Sequence, residues 1–89
     1  MSYFRQVRAI SYTRQALKAL RRMPADTAQR IIAKIEQYAQ EPETQANNVT
    51  ALKGREGIRL RVGDWRVIMN DGGVVLAVLE IGPRGSVYE

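Results

Sequence analysis

Three arginines within eight residues, Arg59, Arg61 and Arg66, are the side chains of this sequence best suited to chemistry on a phosphate. A guanidinium keeps its charge at any relevant pH and presents a planar fork of donors that matches phosphate oxygens. The three lie in Ile58-Arg-Leu-Arg-Val-Gly-Asp-Trp-Arg-Val-Ile-Met69, which reads as two short strands joined at Gly63-Asp64. Successive strand residues point to opposite faces, so Ile58, Leu60 and Val62 share one side while Arg59 and Arg61 share the other. A two-residue turn with glycine first pairs Val62 with Trp65 and Arg61 with Arg66. In that register Ile58, Leu60, Val62, Trp65, Val67 and Met69 form an apolar face for a core, Trp65 included, and the arginines gather on the reverse. Like charges opposite one another in a ladder cost up to about 1 kcal/mol. A purely structural sheet gains nothing from this arrangement, whereas an anion-binding sheet does. The plainer alternative is a solvated strand face that protects an edge from aggregation.

The overall charge points the same way. Fourteen basic residues against nine acidic ones give +5 and a pI near 10.1, which favours polyanionic partners. Eleven of the fourteen bases are arginine, the residue suited to bidentate phosphate contacts. Nucleic acid is the first partner to expect and an acidic protein the second. The chain has no histidine and no cysteine, which removes imidazole acid/base chemistry, the usual serine-hydrolase triad, thiolate catalysis, disulfides and most metal sites. No metal and no cofactor are expected. The first ten residues carry two arginines and no apolar block, so neither a secretory signal nor a membrane span is expected, and a cytoplasmic location fits.

A single domain over residues 1–89 must position these groups. Val7 to Tyr12 reads as a first strand, and Thr13 is placed to cap a helix. From Arg14 to Met23, Ala16, Leu17, Ala19, Leu20 and Met23 recur at helical spacing, with Arg14, Lys18, Arg21 and Arg22 mostly on the outer side. Pro24 stops this helix and Asp26 is placed to cap a second, whose stripe is Ala28, Ile31, Ile32, Ile35 and Ala39 with Tyr38 at its edge. Glu43 to Thr50 reads as a polar loop. Lys53 and Arg55 then lead into the arginine hairpin. Asn70-Asp-Gly-Gly73 signals another hairpin, and Val74 to Ile81 is apolar enough to be a central strand, flanked by the strand before it and by the first strand. The expected fold class is α+β in the order β-α-α-β-β-β: an N-terminal strand, an antiparallel two-helix hairpin and a three-stranded antiparallel meander. The helices pack on one face of a twisted four-stranded sheet. Gly82-Pro83 ends the last strand, which brings Arg84 and Tyr88 towards the arginine face.

Ile10-Ser-Tyr-Thr with Ala16-Leu-Lys-Ala-Leu20, Ala51-Leu-Lys-Gly54, Arg59-Leu-Arg-Val-Gly-Asp-Trp-Arg-Val-Ile68 and Ile81-Gly-Pro-Arg with Val87-Tyr88 occur in an order and spacing that is quite specific. Together they resemble the RelE/ParE superfamily of bacterial type II toxin-antitoxin toxins, and more closely its RelE branch. The resemblance implies an mRNA endonuclease that is commonly ribosome-associated. It matches Arg66 to an arginine on the scissile phosphate, Arg84 to a catalytic arginine after the last long strand, and Tyr88 to a tyrosine near the attacking 2′-hydroxyl. Arg59 and Arg61 stand where some members have lysines. Pro83 stands where a histidine is frequent, and the C-terminal helix of some members is not expected.

The chemistry that follows is attack of a 2′-hydroxyl on its own phosphate with departure of the 5′-oxygen. Arg61, Arg66 and Arg84 would stabilise the transition state, and Tyr88, its phenolate favoured by neighbouring arginines, would serve as base. Lys53, Arg55 and Arg59 are expected as further RNA contacts. The resemblance also implies a cognate antitoxin with an acidic or amphipathic segment, and operator DNA reached only through that partner. The alternatives on the same fold are a DNA gyrase poison of the ParE kind and a degenerate toxin that only binds its antitoxin.

Overall fold

A computed structural model describes residues 7–85 of the chain. The elements run β1 (Ala9–Tyr12), α1 (Arg14–Arg22), α2 (Ala25–Gln40), a 3₁₀ helix (Pro42–Asn48), β2 (Val49–Ala51), β3 (Ile58–Val62), β4 (Trp65–Asp71) and β5 (Val75–Pro83). The sheet order is β1-β5-β4-β3-β2, with β1 parallel to β5 and every other pairing antiparallel. The sheet therefore has five strands rather than the expected four. Part of the stretch read as a loop is a 3₁₀ helix, and its end passes into β2. Val49-Thr-Ala51 is too short for a two-residue period to stand out, yet it pairs with Ile58, Arg59 and Leu60 of β3.

Thr13 starts α1 as expected: its hydroxyl oxygen accepts from the Ala16 N–H at 3.2 Å and donates to the Leu79 carbonyl at 2.6 Å. Leu79 has no cross-strand partner, because the β4–β5 register slips between Ile68 and Met69. One hydroxyl thus caps a helix and holds a bulged strand. Gln15 continues this edge, its amide accepting from the Ile81 N–H at 3.1 Å and donating to the Ile81 carbonyl at 3.3 Å. The second helix corrects the expectation of an Asp26 cap. Pro24 is the N-cap without a side-chain bond, and Asp26 sits in the first turn, where its carboxylate favours the helix N-terminus.

One core lies between the helices and the sheet. Ile31, Ile35, Tyr38 and Ala39 of α2 and Ala16 of α1 pack over Leu60, Val62, Val67, Met69, Leu76, Val78 and Ile81, with Ile58 and Trp65 partly buried at its border. Burying a Leu or Ile side chain contributes about 1.5–3 kcal/mol, so this layer is the main stabilising event. Leu17 departs from the expected stripe: it is 39% exposed, among Arg14, Lys18 and Arg21. Among the described residues no helix is long and apolar enough to cross a membrane.

Candidate nucleic-acid interface

The site begins with the expected hairpin. Val62 pairs with Trp65 and Arg61 with Arg66, and Gly63 adopts φ +58° while Asp64 keeps a negative φ, the pattern of a type II′ turn. Gly57 launches β3 at φ +123°, and a Cβ there would lie 2.9 Å from the Met69 carbonyl oxygen, so glycine alone lets β3 start this close to β4. Alternation then puts Arg59, Arg61 and Arg66 on the sheet face away from the helices. Ile68 shares that face, paired with Arg59 and Glu80, and is fully buried. The reverse face is therefore covered at Ile68 and open at Arg61.

Arg84 joins from the far end of β5. Its N–H donates to the Asp64 carbonyl at 2.7 Å, tying the end of the last strand to the β3–β4 turn. Arg59, Arg61, Arg66 and Arg84 line one cleft of about 220 Å³, closed on its other side by Asn47, Asn48 and Thr50. Two of these guanidinium groups are held by neutral acceptors. Arg66 Nη1 donates to the Gly63 and Trp65 carbonyls at 3.0 Å each, and Arg61 Nη2 donates to Asn48 Oδ1 at 3.2 Å. Among the described residues no carboxylate pairs with Arg61, Arg66 or Arg84. Arg61, Arg66 and Arg84 thus keep their charge while the first two are held in place, which suits an anion more than a structural salt-bridge network would.

Lys53 and Arg55 are not brought to the cleft. Both are exposed on the loop before β3, where Arg55 lies 3.8 Å from Glu80. Tyr88 lies outside the described residues. Sequence reasoning missed Asn47, Asn48 and Thr50, and the only signal for them was the β-rich Val49-Thr50 following two amides. Trp65 is half-buried rather than fully internal: with Lys18, Ala19, Arg22, Met23 and Pro83 it lines a groove of about 420 Å³ beside α1, on the helix side of the sheet.

Fold and cleft together define a small α+β protein whose sheet presents a cationic surface opposite its helices. The sequence matches, over residues 10–88, the family described as the ParE toxin of type II toxin-antitoxin systems, and the chain belongs to that family, within the RelE/ParE superfamily. Solved structures of similar fold are RelE toxins. RelE in the archaeal RelE–RelB complex of Pyrococcus horikoshii is 28% identical with a TM-score of 0.72, over 91% of this chain and 99% of that one. RelE in the RelB–RelE complex of Methanococcus jannaschii is 20% identical with a TM-score of 0.69, over 89% and 95% of the two chains. The isolated Escherichia coli RelE is 18% identical with a TM-score of 0.70, over 90% and 87%. A search of curated proteins by sequence finds no match.

Proposed function

We propose that this chain is the toxin of a type II pair and cleaves mRNA without a metal, the 2′-hydroxyl attacking its own phosphate and the 5′-oxygen leaving. The observation that carries the reading is the convergence of Arg61, Arg66 and Arg84 on one cleft with no carboxylate among the described residues to cancel them. Negative charge grows on the phosphate oxygens in the transition state, so fixed guanidinium groups bind it more tightly than the ground state. Arg59 adds a backbone contact at the cleft wall, and Lys53 and Arg55 extend the footprint along the incoming strand. Tyr88 takes the proton from the 2′-hydroxyl. The ribosome presents the message, and the site of action is the cytoplasm.

The groove beside α1 is where a cognate antitoxin docks in this reading. Its floor of Ala19, Met23 and Trp65 and its rim of Lys18 and Arg22 fit an acidic amphipathic segment, and the related RelE toxins were solved with RelB antitoxins. Operator DNA is reached only through that partner.

A second reading deserves a test because the matching family is named for ParE: a non-enzymatic DNA gyrase poison. Induction of the toxin alone in growing cells separates the two. Growth arrest with fragmented mRNA and intact DNA is the expected result, arrest with DNA breaks and intact mRNA supports gyrase, and no arrest supports a degenerate toxin.

A further inference from the structure

Gln45 is the one buried polar residue among those described, 3% exposed, and the proposed reaction makes no direct use of it. An amide is costly to bury unless its hydrogen bonds are made. Here they are made in one direction. Gln45 Nε2 donates to Gln37 Oε1 of α2 at 2.8 Å, Asn48 Nδ2 donates to Gln45 Oε1 at 3.5 Å, and Arg61 Nη2 donates to Asn48 Oδ1 at 3.2 Å. Each amide accepts from the next group and donates to the one before, a head-to-tail chain in which each bond polarises its neighbours. The polarity has a consequence at the cleft: with its NH₂ committed to Gln45, Asn48 turns its carbonyl oxygen towards Arg61.

We infer that Asn48, oriented by the buried Gln45, is a positioning residue that holds the Arg61 guanidinium ready for the phosphate. The inference rests on the cleft being an RNA-phosphate site. The 3₁₀ helix thereby acquires a role beyond connecting α2 to β2. Its last residue sets an arginine that β3 alone leaves on an exposed strand position. A neutral acceptor suits this task, since it restrains the guanidinium and leaves its charge available to the phosphate. Without it the side chain is ordered only when RNA binds, and affinity falls accordingly.

A double-mutant cycle on the full chain tests this, with binding of a short fluorescein-labelled 2′-O-methyl oligoribonucleotide, which its own 2′-hydroxyl cannot cleave, read by anisotropy at low salt. Asn48→Ala is expected to weaken binding about fivefold in the native background and to have no further effect in an Arg61→Ala background, because the two groups act as a unit. Gln45→Met is expected to reproduce part of the loss, with thermal melting of each variant measured alongside. Independent, multiplicative losses from Asn48→Ala and Arg61→Ala overturn the positioning role while the cleft stands. Arg61→Ala binding as tightly as the parent overturns the cleft reading and the inference with it.

Discussion

Arginines held by carbonyls and amides behave differently from arginines held by carboxylates. A carboxylate partner cancels the field at the site, whereas the Gly63 and Trp65 carbonyls that hold Arg66 fix its geometry and leave its charge. Arg84 is exposed, and its only hydrogen bond among the described residues is through its backbone. Replacing its side chain therefore separates activity from stability. Arg84→Ala should lower cleavage of ribosome-bound mRNA by roughly 10²–10³-fold while stability moves by no more than about 0.5 kcal/mol. Tyr88→Phe should act in the same direction on cleavage. Primer extension and thermal melting measure both, and full activity in the two variants removes them from the site. At this scale the sequence was informative where a strict period applied. Alternation along β3 and β4 was enough to put Arg59, Arg61 and Arg66 on one side. Asn47, Asn48 and Thr50 obey no such period, and their place in the cleft depends on how the 3₁₀ helix folds back against β3.

Thr13 shows how a single residue at an element boundary joins layers. Losing its hydroxyl removes the α1 cap and leaves the Leu79 carbonyl at the bulge without its partner. Thr13→Ala should cost about 1–2 kcal/mol, which lowers the melting temperature of a domain this size by several degrees and is read by calorimetry. Thr13→Ser should retain most of the stability. The helices were legible because their apolar stripes repeat over several turns, and the Thr13 cap because it precedes such a stripe. Asp26 was misplaced by two positions, since proline, with its fixed φ, takes the boundary without offering a side-chain acceptor. Leu17 matched the spacing of the stripe but not its phase, so it faces solvent beside the α1 cations.

Across the whole molecule, Asp71 ties the far end of the sheet together. Its carboxylate accepts from Arg8 Nε at 2.7 Å, the Tyr38 hydroxyl at 3.0 Å and the Gly73 N–H at 2.9 Å, linking the approach to β1, helix α2 and the β4–β5 turn. Burial pushes the Asp71 carboxyl up, but the Gly73, Arg8 and Tyr38 hydrogen bonds outweigh it and hold the group below the ordinary carboxylate range. A carboxyl depressed on folding stabilises the protein above its unfolded pKa, about 3.9 for aspartate, and loses that contribution as pH falls through the folded value. The stability gap between the parent and Asp71→Asn should therefore be widest near neutral pH and close in acid below about pH 4, as read from urea midpoints. A gap independent of pH counts against the linkage. Tyr38 is pushed up to about 12, by burial first and then by Asp71. Its contribution is present below the unfolded tyrosine value of about 10 and is lost as pH rises towards the folded one.

The parallel pairing of β1 with β5 sets Ala9 against Val75, so β1, made before every other described strand, waits for β5 before it has a neighbour. β5 lies between β1 and the middle strand β4, so until it emerges the nascent chain holds only the β4-β3-β2 side of its sheet. A chain stopped before Val75 would carry the arginine hairpin with no β5 beside it and no Arg84 to complete the cleft.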